Sequence, residues 1–488
     1  MTAFFAQDTW THDRLTVQGA IRFDQASSFS PSEHNGTTVT SRFNASPIAI
    51  ERTNGVNSYK DISPRFGLAY DVFGNGKTAV KFNIGRYLGP ATNDTIYTQN
   101  NPANRIVGYN TTAISRSWTD TNGNYVVDCD ILNFAAQTVP AGDVCGAVTG
   151  NSLNYGQPGT STRVNPALLN GWNIRPTDSQ WGVNLQQEVA PRVSLEVGYN
   201  RRWWSNFTVT DNTLVGPSDY EKWTIAAPKD SRLPRGGGYP IDVYTLTSAA
   251  AARGADNYVT FETDYGPARI NYWHGVDVTI NARLKGSLTL QGGTTTGRAI
   301  NDTCATILKV DSPDPRNCRR VDPVETTLRS SAVYMVPKIG VQVSATLRTQ
   351  PPIIFSTNNP TVFVGIQPNA NPSDANWNVP NTVIQSILGR LPPGGLANGT
   401  TNVPLIDNGN LIFGDGRRTQ VDMRFVKIFR FGGRRADIGI DLQNLLNTNY
   451  GTIFESNYDY TAANGGTWRN PTTILGPRFA RVNLSFNF

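Results

Sequence analysis

Apolar and polar side chains alternate along short runs of this chain, and the runs come in pairs. In YWHGVDVTINARL, Val276, Val278, Ile280, Ala282 and Leu284 alternate with Asp277, Thr279, Asn281 and Arg283. In ADIGIDLQ, Ile438, Ile440 and Leu442 alternate with Asp437, Asp441 and Gln443. Successive side chains of a strand point to opposite faces, so each run predicts a strand with one apolar and one wet face. TAFFAQDTW turns through THDR and returns as RLTVQGAIRFD, with Leu15, Val17, Ile21 and Phe23 on one face. ISPRFGLAYDVF turns through GNGK into TAVKFNIGRYL. SQWGVNLQQEV and VSLEVGYNRRWW meet at Ala190-Pro191, and YWHGVDVTINARL and SLTLQGGTTTG meet at Lys285-Gly286. TTLRSSAVYMV and IGVQVSATLRT meet at Pro337-Lys338, and RTQVDMRFVKIFRF and ADIGIDLQNLLN at Gly432-Gly433. RFARVNLSFNF closes the chain alone, as the last of thirteen predicted strands.

The connections are as informative as the strands. Tight turns alternate with much longer polar excursions, such as those from about Gln25 to Lys60 and from about Gly89 to Pro176. Short turns at one end and long loops at the other are the asymmetry of membrane β-barrels. A β-propeller would show a blade period of about 40–50 residues, and none is visible. A large soluble sandwich with one wet face is the alternative architecture. Charge on every second residue, opposite aliphatics, instead predicts a polar lumen behind a lipid-facing wall. Aromatics near strand ends (Trp10, Tyr87, Tyr199, Trp203, Trp204, Tyr272 and Trp273) fit interfacial girdles.

Composition removes other classes. As a soluble protein, 488 residues would suggest roughly two to four domains. No composition break or linker divides the chain, so residues 1–488 read as one barrel portion with long extracellular loops. A mean hydropathy of −0.35 and the lack of an apolar run of about 18 residues exclude a transmembrane helix, which leaves a barrel open. The net charge of +6 comes from Lys and Arg spread through every region, without the stripe that nucleic acid needs. A basic surface facing anionic lipid or an anionic ligand is the simpler reading. MTAFFAQDTWTHDR lacks the basic n-region and apolar core of a signal peptide. Either the chain is not exported by itself or its true beginning lies upstream.

At this point the residues resemble a known family. QDTW followed by LTVQGAIRFD resembles a stretch within the barrels of TonB-dependent outer-membrane receptors. VDMRFVKIFRFGGRRADIGIDLQNLLNTNY, with the later PTTILGPRFARVNLSFNF, resembles their last three strands. DTNGNYVVDCD, CATILKVDSPDPRNC and LPRGGGYPIDVY look like the Oar-like subgroup. The resemblance implies an antiparallel transmembrane β-barrel in the outer membrane of a Gram-negative bacterium. About 13 C-terminal strands of a 22-stranded barrel are expected here, with no counterpart of the plug domain. It implies ligand capture at the cell surface and energised passage through the barrel. The implied partners are outer-membrane lipid and lipopolysaccharide, the TonB complex acting through a plug, and the barrel-assembly machinery. The outward-facing Leu484, Phe486 and Phe488 resemble the terminal signal that this machinery reads.

Candidate chemistry lies in the loops. Arg319 and Arg320, beside Cys318, are exposed cations that could meet an anionic ligand; solvated loop charge or lipopolysaccharide contact is the blander role. Cys129 and Cys145 share one loop, and Cys304 and Cys318 another. Four cysteines allow three connectivities. Pairing within each loop needs no contact between distant loops, and the cell surface is oxidising, so two small rings are expected. Each ring is worth about 3 kcal/mol in the chain-entropy model. Asp120, Asn122 and Asn124, followed by Asp128 and Asp130, form an oxygen-rich run able to wrap Ca²⁺. Gly123 is not at the sixth position, and Ile131 stands where an EF-hand needs a bidentate Glu. A metal-free Asx-turn loop is the preferred reading.

Catalysis fits poorly. His12, His34 and His274 are the only histidines. The first two fall in a turn and a loop, and His274 shares the parity of Val276 and Val278, away from the lumen. No P-loop or Rossmann fingerprint appears. A passive porin, a surface adhesin and a nonfunctional truncated receptor stay open beside the transporter.

Overall fold

The computed structural model describes residues 1–35, 48–56, 58–89, 115–148, 162–284, 286–355, 376–414, 416–455, 457–459 and 466–487. Thirteen strands follow one another through one antiparallel sheet. They are β1 (Thr2–His12), β2 (Leu15–Ala26), β3 (Ser58–Asp71), β4 (Thr78–Leu88), β5 (Thr177–Ala190), β6 (Val193–Ser205) and β7 (Ile270–Leu284). The remainder are β8 (Leu288–Asp302), β9 (Glu325–Val336), β10 (Val341–Gln350), β11 (Arg418–Phe431), β12 (Arg434–Gln443) and β13 (Phe479–Asn487). Each pairs with its neighbours in sequence, and the short strands Asn170–Trp172 and Arg319–Val321 join at the side. No plug domain is present among the described residues. This is the predicted transmembrane β-barrel wall, thirteen strands wide.

The tight turns have local causes. In the turn after β3, the Asp71 carboxylate accepts from the backbone N–H of Gly74 (3.0 Å) and of Gly76 (2.7 Å). Both glycines have φ of +72°, where a side chain would be strained. One boundary differs from the sequence reading. The strand predicted to run through QNLLN stops at Gln443, because Asn444 and Asn447 turn the chain with φ of +49° and +51°. The Asn444 carboxamide donates to the carbonyls of Thr448 and Gly476, both at 2.8 Å, which fixes the turn.

Register assigns the faces. Val183, Tyr199, Val276 and Thr296 form one cross-strand row on the outward side, with Leu185, Val197, Val278 and Thr294 below it. Val183, Leu185, Val197, Val276 and Ile280 are exposed, as are Ile438, Ile440, Val482 and Leu484 farther round. An exposed aliphatic band of this kind is stable only against hydrocarbon. The aromatic girdle needs correction. Neighbouring residues of a strand face opposite ways, so Trp203 and Trp204 cannot both be outward, nor Tyr272 and Trp273. Trp203, Tyr272 and Tyr199 are outward, whereas Tyr87, Trp204 and Trp273 take the inward parity. The indole of Trp273 lies over Gly275 and Gly297, where a Cβ would approach it within 2.7 Å. Those glycines give the ring its place.

Candidate functional site

The inward face is a lattice of paired charge. Arg202 forks onto Asp178 across β6 and β5, with Nε 2.8 Å from one carboxylate oxygen. Lys81 meets Glu196 at 3.2 Å. Asp277 accepts from Asn200 and from Thr295, both at 2.6 Å. On the far side Asp441 gathers Arg481 at 3.0 Å, Asn483 at 2.7 Å and Arg424 at 3.4 Å. Asp277 and Asp441 have the polar parity read from the sequence. Near the long-loop end, Arg175 and Asp61 form a buried pair at 2.8 Å, and Arg175 also donates to the Gly89 carbonyl at 3.1 Å. Breaking one partner of such a pair leaves an uncompensated buried charge, so this contact fixes the segment before β5 to the wall.

The larger surprise lies at the end of the sheet with long connections. The fully buried aromatic and aliphatic side chains are concentrated there rather than in the wall. A hairpin from the β6–β7 connection (Tyr220–Ala226 and Pro240–Leu246) contributes Trp223, Ile225 and Ile241. The β10–β11 connection contributes the strands Asn376–Pro380 and Thr400–Pro404 and the helix Asn381–Leu388, burying Trp377, Val379, Ile384 and Val403. The β12–β13 connection adds Tyr458 and Trp468, whose rings meet edge-on at 5.3 Å. Burying each large side chain is worth roughly 1.5–3 kcal/mol, so three loops distant in sequence form a small domain with its own core. Polar ties extend it: Arg390 reaches Glu221 and the Leu246 carbonyl, and Asn408 donates to the Asn317 carbonyl at 2.8 Å. Burial at this core pushes the Tyr239 hydroxyl up to about 12.

The predicted site residues fall around this assembly. Cys129 is bonded to Cys145, and Cys304 to Cys318, with Cα atoms 6.5 and 4.8 Å apart. The first ring holds a three-stranded sheet made of Trp118–Thr119, Gln137–Thr138 and Val144–Cys145. The second closes the helix Cys304–Val310 onto the chain before β9. Non-reducing peptide mapping of protein taken from the envelope should find both pairs oxidised; free thiols, or pairs crossed between the loops, would rule the assignment out.

The oxygen-rich run is turned inward on its own backbone. Asp120 accepts from the N–H groups of Gly123 (2.7 Å) and Tyr125 (2.9 Å), Asn124 from Val126 (2.7 Å) and Asp130 from Leu132 (3.0 Å). Asn122 accepts from the Asn124 N–H at 3.1 Å and donates to Asp128 at 2.6 Å. These are Asx turns, and no group of three carboxylate, His or Cys side chains converges among the described residues. Asp143 supports the run from beneath: the Asp128 N–H and the Trp118 indole donate to it and hold its carboxyl below the usual range. Arg319 and Arg320 each face a carboxylate already, Asp302 at 3.5 Å and Asp322 at 2.6 Å. His12 ends β1 and His34 lies in the short strand Glu33–Asn35, while His274 stands outward between Tyr199 and Arg298. Leu484 and Phe486 are exposed on the outward face of β13, and Phe488 lies outside the described residues.

Residues 1–342 match the profile of a family described as outer membrane beta barrel domain. No curated protein sequence matches the chain. Solved structures similar to it include the ferric-catecholate import receptor Fiu of Escherichia coli K12, at 12% identity and a TM-score of 0.42, covering 99% of this chain and 44% of Fiu. The outer membrane transporter YddB of Escherichia coli aligns at 9% identity and a TM-score of 0.41, over 99% of this chain and 53% of its own. The siderophore receptor PiuA of Acinetobacter baumannii aligns at 9% identity and a TM-score of 0.41, over 100% and 42%. The chain thus spans about half the length of the solved structures it matches.

Proposed function

We propose, from the premise that the chain belongs to the outer membrane β-barrel domain family, that it forms the C-terminal wall and surface head of a TonB-dependent receptor of the Oar-like kind. Its place is the outer membrane of a Gram-negative bacterium. The loop domain built on Trp223, Trp377, Ile384, Val403 and Trp468 carries this reading. A passive pore needs only an open mouth, and loops that merely line it need no shared core. Three connections folded around one core make a rigid head, and rigid surfaces carry recognition because little ordering entropy is lost on binding. Beneath it lies a polar face of paired carboxylates and arginines that a hydrated solute can pass. Energy would reach this machinery through the TonB complex and a plug, and the ligand class is siderophore, oligosaccharide or peptide.

Energisation is the discriminating property. Cells producing the native protein should retain ligand at their surface with or without a protonophore, and internalise it only without one. Mass spectrometry of washed cells fed pooled siderophores, oligosaccharides and peptides reads both steps. Passage that ignores the protonophore would establish a porin, and capture with no passage an adhesin.

A further inference from the structure

Each of the six tight turns has a cation beside it that holds no carboxylate. Arg14 stands between β1 and β2, Lys77 just before β4, Arg192 between β5 and β6, and Lys338 between β9 and β10. Arg283 and Arg430 lie one residue inside the ends of β7 and β11. All six are exposed, and among the described residues none of them forms an ion pair. Arg14 donates to the Val72 carbonyl at 3.4 Å, which leaves its charge uncompensated.

The carboxylates at this end are already engaged. Asp71 accepts from the turn it closes, and Glu188 takes the Arg192 backbone N–H at 3.2 Å. Asp437 is held by Arg435 at 2.8 Å, and Asp13 lies 3.5 Å from His12. At the long-loop end Arg163, Arg253 and Arg316 are instead paired with Asp256, Asp219 and Asp314.

The six cations face water rather than acyl chains. Arg283 and Arg430 share the inward parity of Asp277 and Arg424, while the adjacent Leu284 and Phe431 are exposed on the outward side. The other four lie past the strand ends. They are distinct from the outward cross-strand row of Trp181, Arg201, His274 and Arg298, which lies nearer the long loops. Successive tight turns are two strands apart, so the charges repeat roughly every 10 Å along the rim. A compact anion would meet one or two of them, and an extended polyanion meets the row. A lone exposed cation gains little from a single ion pair, whereas a row gains through one partner that engages several at once. Short barrel turns face the periplasm. The extended, carboxylate-bearing polymer of that compartment is peptidoglycan, whose stem peptides present acidic groups at intervals.

We propose that the short-turn rim docks on peptidoglycan, with Arg14, Lys77, Arg192, Arg283, Lys338 and Arg430 meeting its stem-peptide carboxylates. This rests on the outer-membrane setting and is independent of the transport reading.

The test uses native protein extracted from the outer membrane in mild detergent and sedimented with purified sacculi. The probes are untreated sacculi, sacculi whose carboxyls have been amidated, and a short-chain phosphatidylglycerol as soluble competitor. At low salt wild-type protein should bind untreated sacculi at least about tenfold better than amidated ones, a modest share of the gain multivalent contact can give. Added salt should release it, because exposed charges are screened. The Lys77→Gln/Arg192→Gln/Lys338→Gln variant should lose most of that preference, and the Lys77→Arg/Arg192→Lys/Lys338→Arg variant should keep it. Equal binding of wild-type protein to the two kinds of sacculi, or an unchanged preference in the Gln variant, overturns the proposal. Displacement from sacculi by the phosphatidylglycerol at matched ionic strength would make the rim a lipid-headgroup surface and overturn the peptidoglycan assignment. Should the Gln variant fail to assemble, the wild-type comparison of untreated and amidated sacculi still decides.

Discussion

Refolded alone in detergent, residues 1–488 should give no stable heat-modifiable monomer and no reproducible single-channel conductance. The reason is the sheet's arithmetic. Among the described residues β1 pairs only with β2, and β13 only with β12, so both carry an open edge. All eleven residues of β1 are exposed, including Phe4 and Phe5 on opposite faces. About half the residues of an edge strand turn their N–H and C=O away from the sheet. In hydrocarbon each such group costs several kcal/mol, so one edge of eleven residues is destabilised by tens of kcal/mol, beyond what any local contact offsets. Self-closure does not remove the problem. With thirteen antiparallel strands, β1 and β13 run in the same direction, and bringing them together would make a parallel pair. A second copy fares no better, because copies inserted in the same orientation meet edge to edge in parallel. Closure of such a sheet in the antiparallel pattern would need an odd number of additional strands. A reproducible pore from this chain alone, at monomer mass, would overturn the argument and favour a small porin.

The wall was legible in the sequence because its signal is local. Period-2 alternation and turn residues such as GNGK and Gly432-Gly433 are set by neighbours a few positions apart, and the inward charges of Asp277, Asp437 and Asp441 followed from parity alone. The loop domain was not legible, since its core is assembled from three connections that are far apart in the sequence. Trp223 and Ile225 alternate, and NWNVP precedes a helical NTVIQSIL, which are the only local hints of it. Read singly, each looks like an ordinary apolar residue in a polar loop. The Trp181, Arg201, His274 and Arg298 row was hidden for a related reason. Its four residues lie on four different strands, and only the register of those strands places them side by side.

Truncating the terminal signal should produce the second large effect. In β13, Val482, Leu484 and Phe486 face outward, exposed by 74%, 61% and 55%. They pair with Ile440, Ile438 and Ala436 on β12, while the other backbone edge of β13 has no partner strand among the described residues. An open edge beside a row of apolar side chains is what a partner can read by strand addition, with main-chain bonds giving affinity and alternate side chains specificity. Deleting Phe488 from the native protein, or replacing Phe486 with Asp, should therefore lower the heat-modifiable folded band in the outer membrane by at least about tenfold, on the order of the binding energy one buried aromatic provides. A simple loss of stability predicts something else. Phe486→Ala leaves the strand pairing with Ala436 in place, so the purified native protein carrying it should refold in detergent as the unaltered native protein does while failing to accumulate in cells. That split, assembly lost and refolding kept, marks a recognition signal. Wild-type amounts of folded protein in the outer membrane after the Phe488 deletion would refute it.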